Sequence, residues 1–435
     1  MSSQITPRRS LEGLKMFLVR QRWEQPDVSL ENISGYIQGA LERKGILKLI
    51  RPGDSIAITA GSRGIGTIPH VLRAIVDAVR ARGGKPFLFP AMGSHGGGTA
   101  EGQKELLAGL GITEEAMGAP ILATMEVVQI GETEEGVPVY LDAFAARADG
   151  IIVVNRVKKH TNFDAPIESG LCKMAVIGMG KHAQAVVVHQ LGNAAFREHI
   201  PKIARIVFSR APVLGGLALL ENAWGGLAEA VPLLPEEIIE QEPSLLQRAK
   251  SYSAKIPFPE IDILLVERMG KDISGTGMDC YVIGRKRIIG EPEWSEAPQI
   301  HSLVLLDLTD ASHGNAVGVG LADFTTRRLV SKIDWKATYV NVLTSGNLER
   351  GKLPLVFETD REALEAAAFR ERKVPLQELR LLCIPDTLHL RYLFVSEALA
   401  EQAKGQGKLE ILSGPHRLPF DKGGNWISPF EEKGP

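Results

Sequence analysis

The stretch SIAITAGSRGIGTIPHVLRAIVDAV, residues 55–79, decides the fold class of this chain. Its first six residues form a short apolar run that predicts a buried strand, and a glycine-rich loop follows them. From residue 68 onwards, apolar residues recur at helical spacing until Gly83 and Gly84 end the pattern. A strand, a loop and a helix in this order form the basic unit of α/β proteins with a mostly parallel sheet.

The same order of elements recurs along the chain. KPFLFPA (85–91) and GIIVVNRV (150–157) predict two further strands, and the second is apolar almost throughout, as strands buried on both faces are. Four later runs also predict strands: EIDILLVER (260–268), SLVLLDL (302–308), ATYVNVL (337–343) and LRLLCIP (379–385). The whole chain is therefore expected to belong to the α/β class.

The length of 435 residues exceeds what one hydrophobic core usually holds, so two domains are expected. A charged helix gives way to a Pro-rich linker at 249–262, which marks the boundary. We therefore expect two α/β domains at 1–255 and 256–410, with the active site in the cleft between them. The Pro- and Gly-rich residues 411–435 are expected to form an irregular tail.

Composition excludes several classes of partner. The chain has 50 basic and 52 acidic residues, a net charge of −2, which gives no bias towards nucleic acid or anionic lipid. No apolar run approaches the length of a membrane span. The three cysteines are scattered and form no CxxC pair, which is typical of a reducing compartment. We expect a cytoplasmic protein whose partner is a small molecule and whose candidate assembly is a homodimer.

Basic side chains are concentrated in loops that follow predicted strands. Arg63, His95 and His160 lie in such loops, and Lys173 and His189 share the segment SGLCKMAVIGMGKHAQAVVVHQLG (169–192). Ligands of open α/β sheets bind beyond the carboxyl ends of the strands, where these loops converge. A single loop arginine or histidine is more often a solvated or structural group. Their occurrence together in glycine-rich loops nevertheless favours a site that binds an anion and moves protons.

Four motifs in order are similar to those of a known family. SRGIGTIP, GSHGG, NRVKKH and SGLCKMAVIG…VVVHQLG resemble the nickel-pincer-dependent lactate racemases and their relatives that racemise or epimerise 2-hydroxyacids. The histidine that follows the lysine by sixteen residues in that family corresponds here to His189, sixteen residues after Lys173. The recognisable motifs cover residues 50 to 200.

The resemblance implies a role for each matched residue. Lys173 would attach the cofactor, a nickel-bearing, thiocarboxylated pyridinium mononucleotide, and His189 would be the protein ligand to nickel. His95 and His160 would be the paired acid/base catalysts, and Arg63 would hold the substrate carboxylate or an anion of the cofactor. A pincer ligand supplies three of the four donors of planar Ni(II), so one imidazole suffices. Two histidines suit proton exchange with the two enantiomers of a 2-hydroxyacid.

The chain departs from the family pattern at several positions. The family's loop before the arginine usually bears an acidic residue, whereas here it reads Ala60-Gly61-Ser62. We expect Ser62 to contact the cofactor. Gly96-Gly97 replace the arginine and proline after the loop histidine. In the second domain, Lys271 and Asp272 stand in the loop after the first strand instead of the glutamine and lysine that contact lactate in the family, and we expect Lys271 and Asp272 to contact the substrate. We therefore expect a 2-hydroxyacid that is larger than lactate, such as a sugar acid.

Two other functions remain open from the sequence. The first is a zinc metallohydrolase in which His95, His160 and His189 bind the metal and activate water. The second is a non-catalytic carrier of a phosphorylated or nickel-bearing ligand. Further polar residues at predicted strand ends could line the same substrate wall, although each is more often structural: Asp310, His313, Asn315 and the loop 344–347. The pair His182 and His189, seven residues apart, is more simply read as coincidence.

Overall fold

The structure is a computed structural model that describes residues 7–62, 66–161, 163–191 and 193–430, with the side chains of 193–196 left out. The strands are β1 (Met16–Gln21), β2 (Ser55–Ala60), β3 (Lys85–Pro90), β4 (Val127–Glu132), β5 (Pro138–Asp142), β6 (Gly150–Arg156), β7 (Val213–Glu221), β8 (Leu227–Leu233), β9 (Glu260–Met269), β10 (Gln299–Leu308), β11 (Phe324–Thr326), β12 (Leu355–Phe357), β13 (Leu381–Ile384), β14 (Tyr392–Ser396) and β15 (Leu409–His416). The α-helices are α1 (Leu30–Lys44), α2 (Ile68–Ala81), α3 (Ala100–Gly109), α4 (Glu114–Met117), α5 (Leu171–Lys173), α6 (Lys181–Gln190), α7 (Asn193–Arg210), α8 (Pro235–Tyr252), α9 (Arg327–Ser331), α10 (Trp335–Ser345), α11 (Asp360–Arg370) and α12 (Glu397–Lys404).

The chain folds into two compact units. The central unit is Gln25–Ser253, and the terminal unit combines Met1–Glu24 with Ala254–Pro435. The first 24 residues therefore belong to the terminal unit, whereas the expected domain of 1–255 placed them with the residues that follow. The physical reason is β1, which pairs with β14 on one side and β15 on the other. No helix among the described residues is long and apolar enough to cross a membrane.

The central unit is built on a sheet in the order β3-β2-β6-β7-β8. Its first four strands are parallel and β8 runs antiparallel to β7. Alternate residues of β6 enter different cores, because Ile151 and Val153 pack into one apolar cluster and Ile152 and Val154 into another. Both faces of the sheet are thus covered, which confirms the α/β class and the strand predicted from the apolar run.

The terminal unit has a sheet in the order β12-β11-β10-β9-β13-β14-β1-β15. The five strands from β12 to β13 are parallel, and β14, β1 and β15 add an antiparallel edge. The predicted strand at 337–343 is wrong, since these residues lie in α10, whose first turn is capped by the Asp334 carboxylate accepting the N–H of Ala337 at 3.0 Å. The expected irregular tail also begins as a strand, because residues 409–416 form β15.

Candidate functional site

Three loops of the central unit leave the same edge of its sheet. β3, β2 and β6 are adjacent and parallel, and His95, Ser62 and His160 follow their respective carboxyl ends. Neighbouring strands lie about 4.8 Å apart, so the starting points of the three loops fall within roughly 10 Å. The sheet thus brings these three residues to one edge. Arg63 lies outside the described residues.

The loop that carries His95 is held by hydrogen bonds to the loop after β2 and to α3, the helix that follows it. His95 Nδ1 and the Ser62 hydroxyl form a hydrogen bond, which orients the imidazole from the adjacent β2 loop. The buried Gln103 of α3 donates its Nε2 to the carbonyl oxygens of Gly93, at 2.9 Å, and of His95, at 3.2 Å. Thr99 caps α3 by accepting the N–H of Gly102. The ring of His95 itself remains exposed.

Gly96→Ala is expected to disrupt this loop strongly. Gly96 has φ +63°, and a Cβ there would lie 2.5 Å from the backbone carbon of Gly102 and 2.6 Å from the amide nitrogen of Gln103. Because backbone atoms cannot move aside as a flexible side chain can, we expect the free energy of unfolding to fall by roughly 3 kcal/mol or more. Urea unfolding of the two proteins measures the difference.

Gly97→Ala is the matched control. Gly97 has φ +68°, but a Cβ there would meet nothing within 4 Å. This variant pays only for the left-handed backbone, about 1–2 kcal/mol. Equal losses of stability in the two variants would contradict the close packing of the loop on α3.

The loop that carries His160 is closed by hydrogen bonds around a buried carboxylate. Lys158 donates its N–H to the Ser169 carbonyl at 2.7 Å, and the N–H of His160 donates to Glu168 Oε2 at 2.6 Å. Burial raises the pKa of Glu168, although Lys250 lies 3.2 Å from its other oxygen. The His160 ring stacks on buried Phe163 with centroids 4.3 Å apart. The backbone and ring of His160 are therefore both held.

Lys173 and His189 lie in a segment that is not one continuous helix. α5 ends at Lys173, a π-helix spans Met174–Gly178, and α6 begins at Lys181, whose φ of +57° changes the direction of the backbone. A straight helix would place residues sixteen apart at about 24 Å. Here the pKa of His189 is lowered by two effects. Partial burial of the imidazole is the larger, and the positive charge of Lys173 is the second. The neutral imidazole, the form that can bind a metal, is therefore favoured near pH 7.

The His95 loop packs directly on this segment. A Cβ at Gly93 would lie 3.0 Å from the Ile177 side chain and 3.7 Å from Cβ of Ala185. Ala185 lies four residues before His189, so the two share one face of α6. His182, also on α6, lies next to the same loop, since its ring would be 3.8 Å from a Cβ at Gly98. His182 therefore lies beside the His95 loop.

The sequence did not indicate a buried carboxylate that contacts the residue before Lys173. Glu242 of α8 is 1% exposed and accepts the N–H of Cys172 at 2.9 Å, which caps the first turn of α5. Its Oε1 finds no hydrogen-bond partner among the described residues, and burial raises the pKa of the carboxyl to about 7. Gly170 leaves room for it, because a Cβ there would lie 2.5 Å from Oε1. An acidic residue in register with the buried Ile238, Leu245 and Leu246 was the available signal.

Lys271 and Asp272 belong to the terminal unit and already have partners there. The Lys271 ammonium donates to the Gly275 carbonyl at 2.8 Å and to the Asn341 side chain. Asp272 Oδ1 accepts the Thr309 hydroxyl at 2.6 Å. Both follow β9 at the carboxyl edge of its sheet, where a ligand of that unit would bind. Their predicted contact with substrate stays a prediction.

The described residues contain a group of three possible metal donors, and all three belong to the terminal unit. Asp262, His301 and Glu371 of the terminal unit bring one donor atom each within 4.8 Å of the others. Arg380 already donates to both oxygens of Asp262, at 2.6 and 3.2 Å, so the carboxylate is neutralised by an ion pair. No such group within the described residues includes His95 or His160.

Comparison with known proteins gives a distant structural likeness. No family model matches the chain, and no curated protein sequence matches it. The fold is similar to the structure of the lactate racemase apoprotein from Thermoanaerobacterium thermosaccharolyticum, with 13% identity and a TM-score of 0.48 over 84% of this chain and 94% of that one. At this identity and TM-score, the likeness carries no argument about activity or site residues.

Proposed function

We propose that this protein is an isomerase that racemises or epimerises a 2-hydroxyacid at carbon 2. The observation that carries the proposal is the folding of the segment 171–190, which puts Lys173 near enough to His189 to affect its pKa while the His95 loop packs on the same segment. The motifs that led to this expectation thus fall in neighbouring parts of one unit. The loops that carry His95 and His160 leave the same edge of the central sheet, and in this proposal the amine of Lys173 and the imidazole of His189 act beside them.

Lys173 and His189 fit a nickel-pincer nucleotide. The partly buried Lys173 offers an amine at the end of α5, and the lowered pKa of His189 favours the neutral imidazole that a metal requires. Ser62, and Arg63 in the same loop, would contact the cofactor from the end of β2. When bound, this group would supply reversible oxidation at carbon 2.

His95 and His160 would exchange the hydroxyl proton of the substrate. Ser62 engages Nδ1 of His95, so proton transfer would use Nε2. The stacked, half-buried His160 would serve the opposite enantiomer, since inversion presents the hydroxyl on the other side of carbon 2. Arg63 would hold the carboxylate in place through a bidentate pair.

The proposal predicts a specific state of the protein. After co-expression with the enzymes that make the cofactor, we expect about one nickel per chain and an added mass on the peptide that contains Lys173. Lys173→Ala should lose the added mass, and His189→Ala should lose nickel. The loaded protein should invert carbon 2 of at least one acid in a panel of simple 2-hydroxyacids and sugar acids.

Other outcomes separate the alternatives. Zinc in the purified protein together with hydrolysis in the absence of any organic cofactor would favour the metallohydrolase. A loaded protein that inverts no acid in the panel and forms no keto acid from either enantiomer would favour the carrier. Lys104→Ala is a suitable control for the mass analysis, because Lys104 lies on α3 and is paired with Glu114 at 3.4 Å.

A further inference from the structure

Lys181 is an unusual residue to find at a helix start. Its side chain is fully buried, and its backbone has φ +57°, a left-handed conformation that is strained for a residue with a side chain. Burying an ammonium adds a desolvation cost that a carboxylate partner only partly offsets. Methionine would fill similar space without the charge, and glycine would adopt the backbone without strain. Features of this kind persist where a specific arrangement depends on them.

The Lys181 ammonium joins three parts of the central unit. Nζ donates to the Pro90 carbonyl, at the end of β3, and to Gln103 Oε1, both at 2.6 Å. It also lies 3.7 Å from Oδ2 of the fully buried Asp142, at the end of β5. The backbone of Lys181, meanwhile, is the corner between the π-helix and α6. One residue thus links the strand before His95 to the corner of the segment that carries Lys173 and His189.

Gln103 extends this link to His95 itself. Its Oε1 accepts from Lys181, and its Nε2 donates to the carbonyls of Gly93 and His95. Gln103 is fully buried, so water cannot replace either bond without opening the loop. The connection from the α6 corner to the His95 backbone therefore runs through one ammonium and one carboxamide.

We propose that Lys181 and Gln103 are positioning residues that set His95 against the segment carrying Lys173 and His189. The inference rests on the proposed function, in which these three residues act on one cofactor and one substrate. Neither Lys181 nor Gln103 needs to touch a ligand. Their effect is to keep the two parts of the site in register during turnover.

Gln103→Met tests the proposal, because methionine keeps the volume and removes all three hydrogen bonds. The expected result is faster amide hydrogen exchange in peptides covering residues 92–99, by about tenfold, the factor that one ordinary hydrogen bond produces. Exchange in peptides of β7 should change by less than about twofold. This measurement uses the full chain and needs neither cofactor nor substrate.

Gln184→Met is the matched control. Gln184 is also fully buried, lies on α6, accepts the N–H of Tyr140 at 2.8 Å and donates to the Pro138 carbonyl at 3.0 Å. It therefore loses comparable bonds to β5 and none to the His95 loop. We expect faster exchange at residues 138–142 in this variant and unchanged exchange at 92–99.

Gln103→Glu provides a second variant if the methionine protein does not fold. Its carboxylate still accepts from Lys181, but it cannot donate to the Gly93 and His95 carbonyls, so only the half of the link facing His95 is broken. In the loaded enzyme, both Gln103 variants should lower kcat about tenfold while KM and nickel content stay within twofold of the wild type. Gln184→Met should leave kcat within about threefold.

The outcomes separate this inference from the proposed function. Faster exchange at 92–99 without any detectable isomerase activity would leave the link standing and remove the proposed function. Active enzyme with unchanged exchange at 92–99 in both Gln103 variants would overturn the link. An equal decrease of kcat in Gln103→Met and Gln184→Met would also overturn the link, because a general loss of stability would then explain both decreases.

Discussion

Replacing His95 with glutamine is expected to lower kcat roughly 100-fold to 10,000-fold, the range that a positioned acid/base group contributes. The glutamine amide can still form a hydrogen bond with Ser62, so the loop should keep its shape. It cannot take up a proton near neutral pH, so the hydroxyl proton of the substrate has no acceptor on that side. His160→Gln should have an effect of similar size through the other side of the site.

A half-reaction distinguishes the two histidines. If each exchanges the proton of one enantiomer, His95→Gln should still oxidise one enantiomer to the keto acid in a single turnover and fail with the other. His160→Gln should show the reverse preference. The keto acid is measured after acid quenching of loaded protein mixed with each pure enantiomer, and nickel content is measured alongside to show that loading is intact.

His70→Gln is the control for these variants. His70 lies exposed on α2, outside the loops at the carboxyl edge of the sheet. It should keep turnover within about twofold. If His95→Gln and His160→Gln both racemise at rates within about threefold of the wild type, the acid/base assignment is wrong.

The sequence predicted best where a pattern was local and strong. The run at 55–60 and its helix from 68 appear as β2 and α2 at nearly the same bounds, because an apolar strand and an apolar helix face depend on neighbours in the chain. The run at 337–343 failed, because seven mostly apolar residues do not distinguish a strand from a helix. In α10 much of that apolar surface is exposed, and Leu343 is 70% exposed. The apolar run therefore did not mark a buried strand.

Long-range pairing was beyond the sequence. Nothing local shows that β1 pairs with β15 almost 400 residues later, since antiparallel edges are chosen by the available sheet. The buried contacts of the candidate site were equally beyond prediction from the sequence. The loops at strand ends were predictable, whereas Gln103, Lys181 and Glu242 act through buried contacts with residues 70 or more positions away, and polar residues on helices give no sign of such partners.

Glu242→Gln is expected to change how the stability of the central unit depends on pH. Burial raises the pKa of this carboxyl from 4.5 to about 7. Between these values the folded protein holds a proton that the unfolded chain has released, so stability falls as pH rises through this window. A pKa change of this size corresponds to roughly 3 kcal/mol, fully present as a cost above pH 7 and absent below pH 4.5.

The measurement is urea unfolding of both proteins at pH 5 and pH 8, followed by far-ultraviolet circular dichroism. Glutamine resembles the protonated carboxyl in shape and can still accept the N–H of Cys172, so its own contribution should not vary with pH. The free energy of unfolding of the variant should therefore rise relative to that of the wild type by roughly 2.5 kcal/mol between pH 5 and pH 8. Glu240→Gln, exposed on the same helix, should show no such change.

The direction of this effect bears on why a carboxyl occupies the position at all. A leucine at 242 would join the apolar face of α8, but it would leave the N–H of Cys172 buried without an acceptor. The carboxyl caps the turn that ends at Lys173 and destabilises the fold above pH 7, so the site bears a cost that apolar packing would avoid. Stability that is equally pH-dependent in Glu242→Gln and wild type would mean that the carboxyl stays ionised in the fold and that its cap is supported by contacts beyond those described.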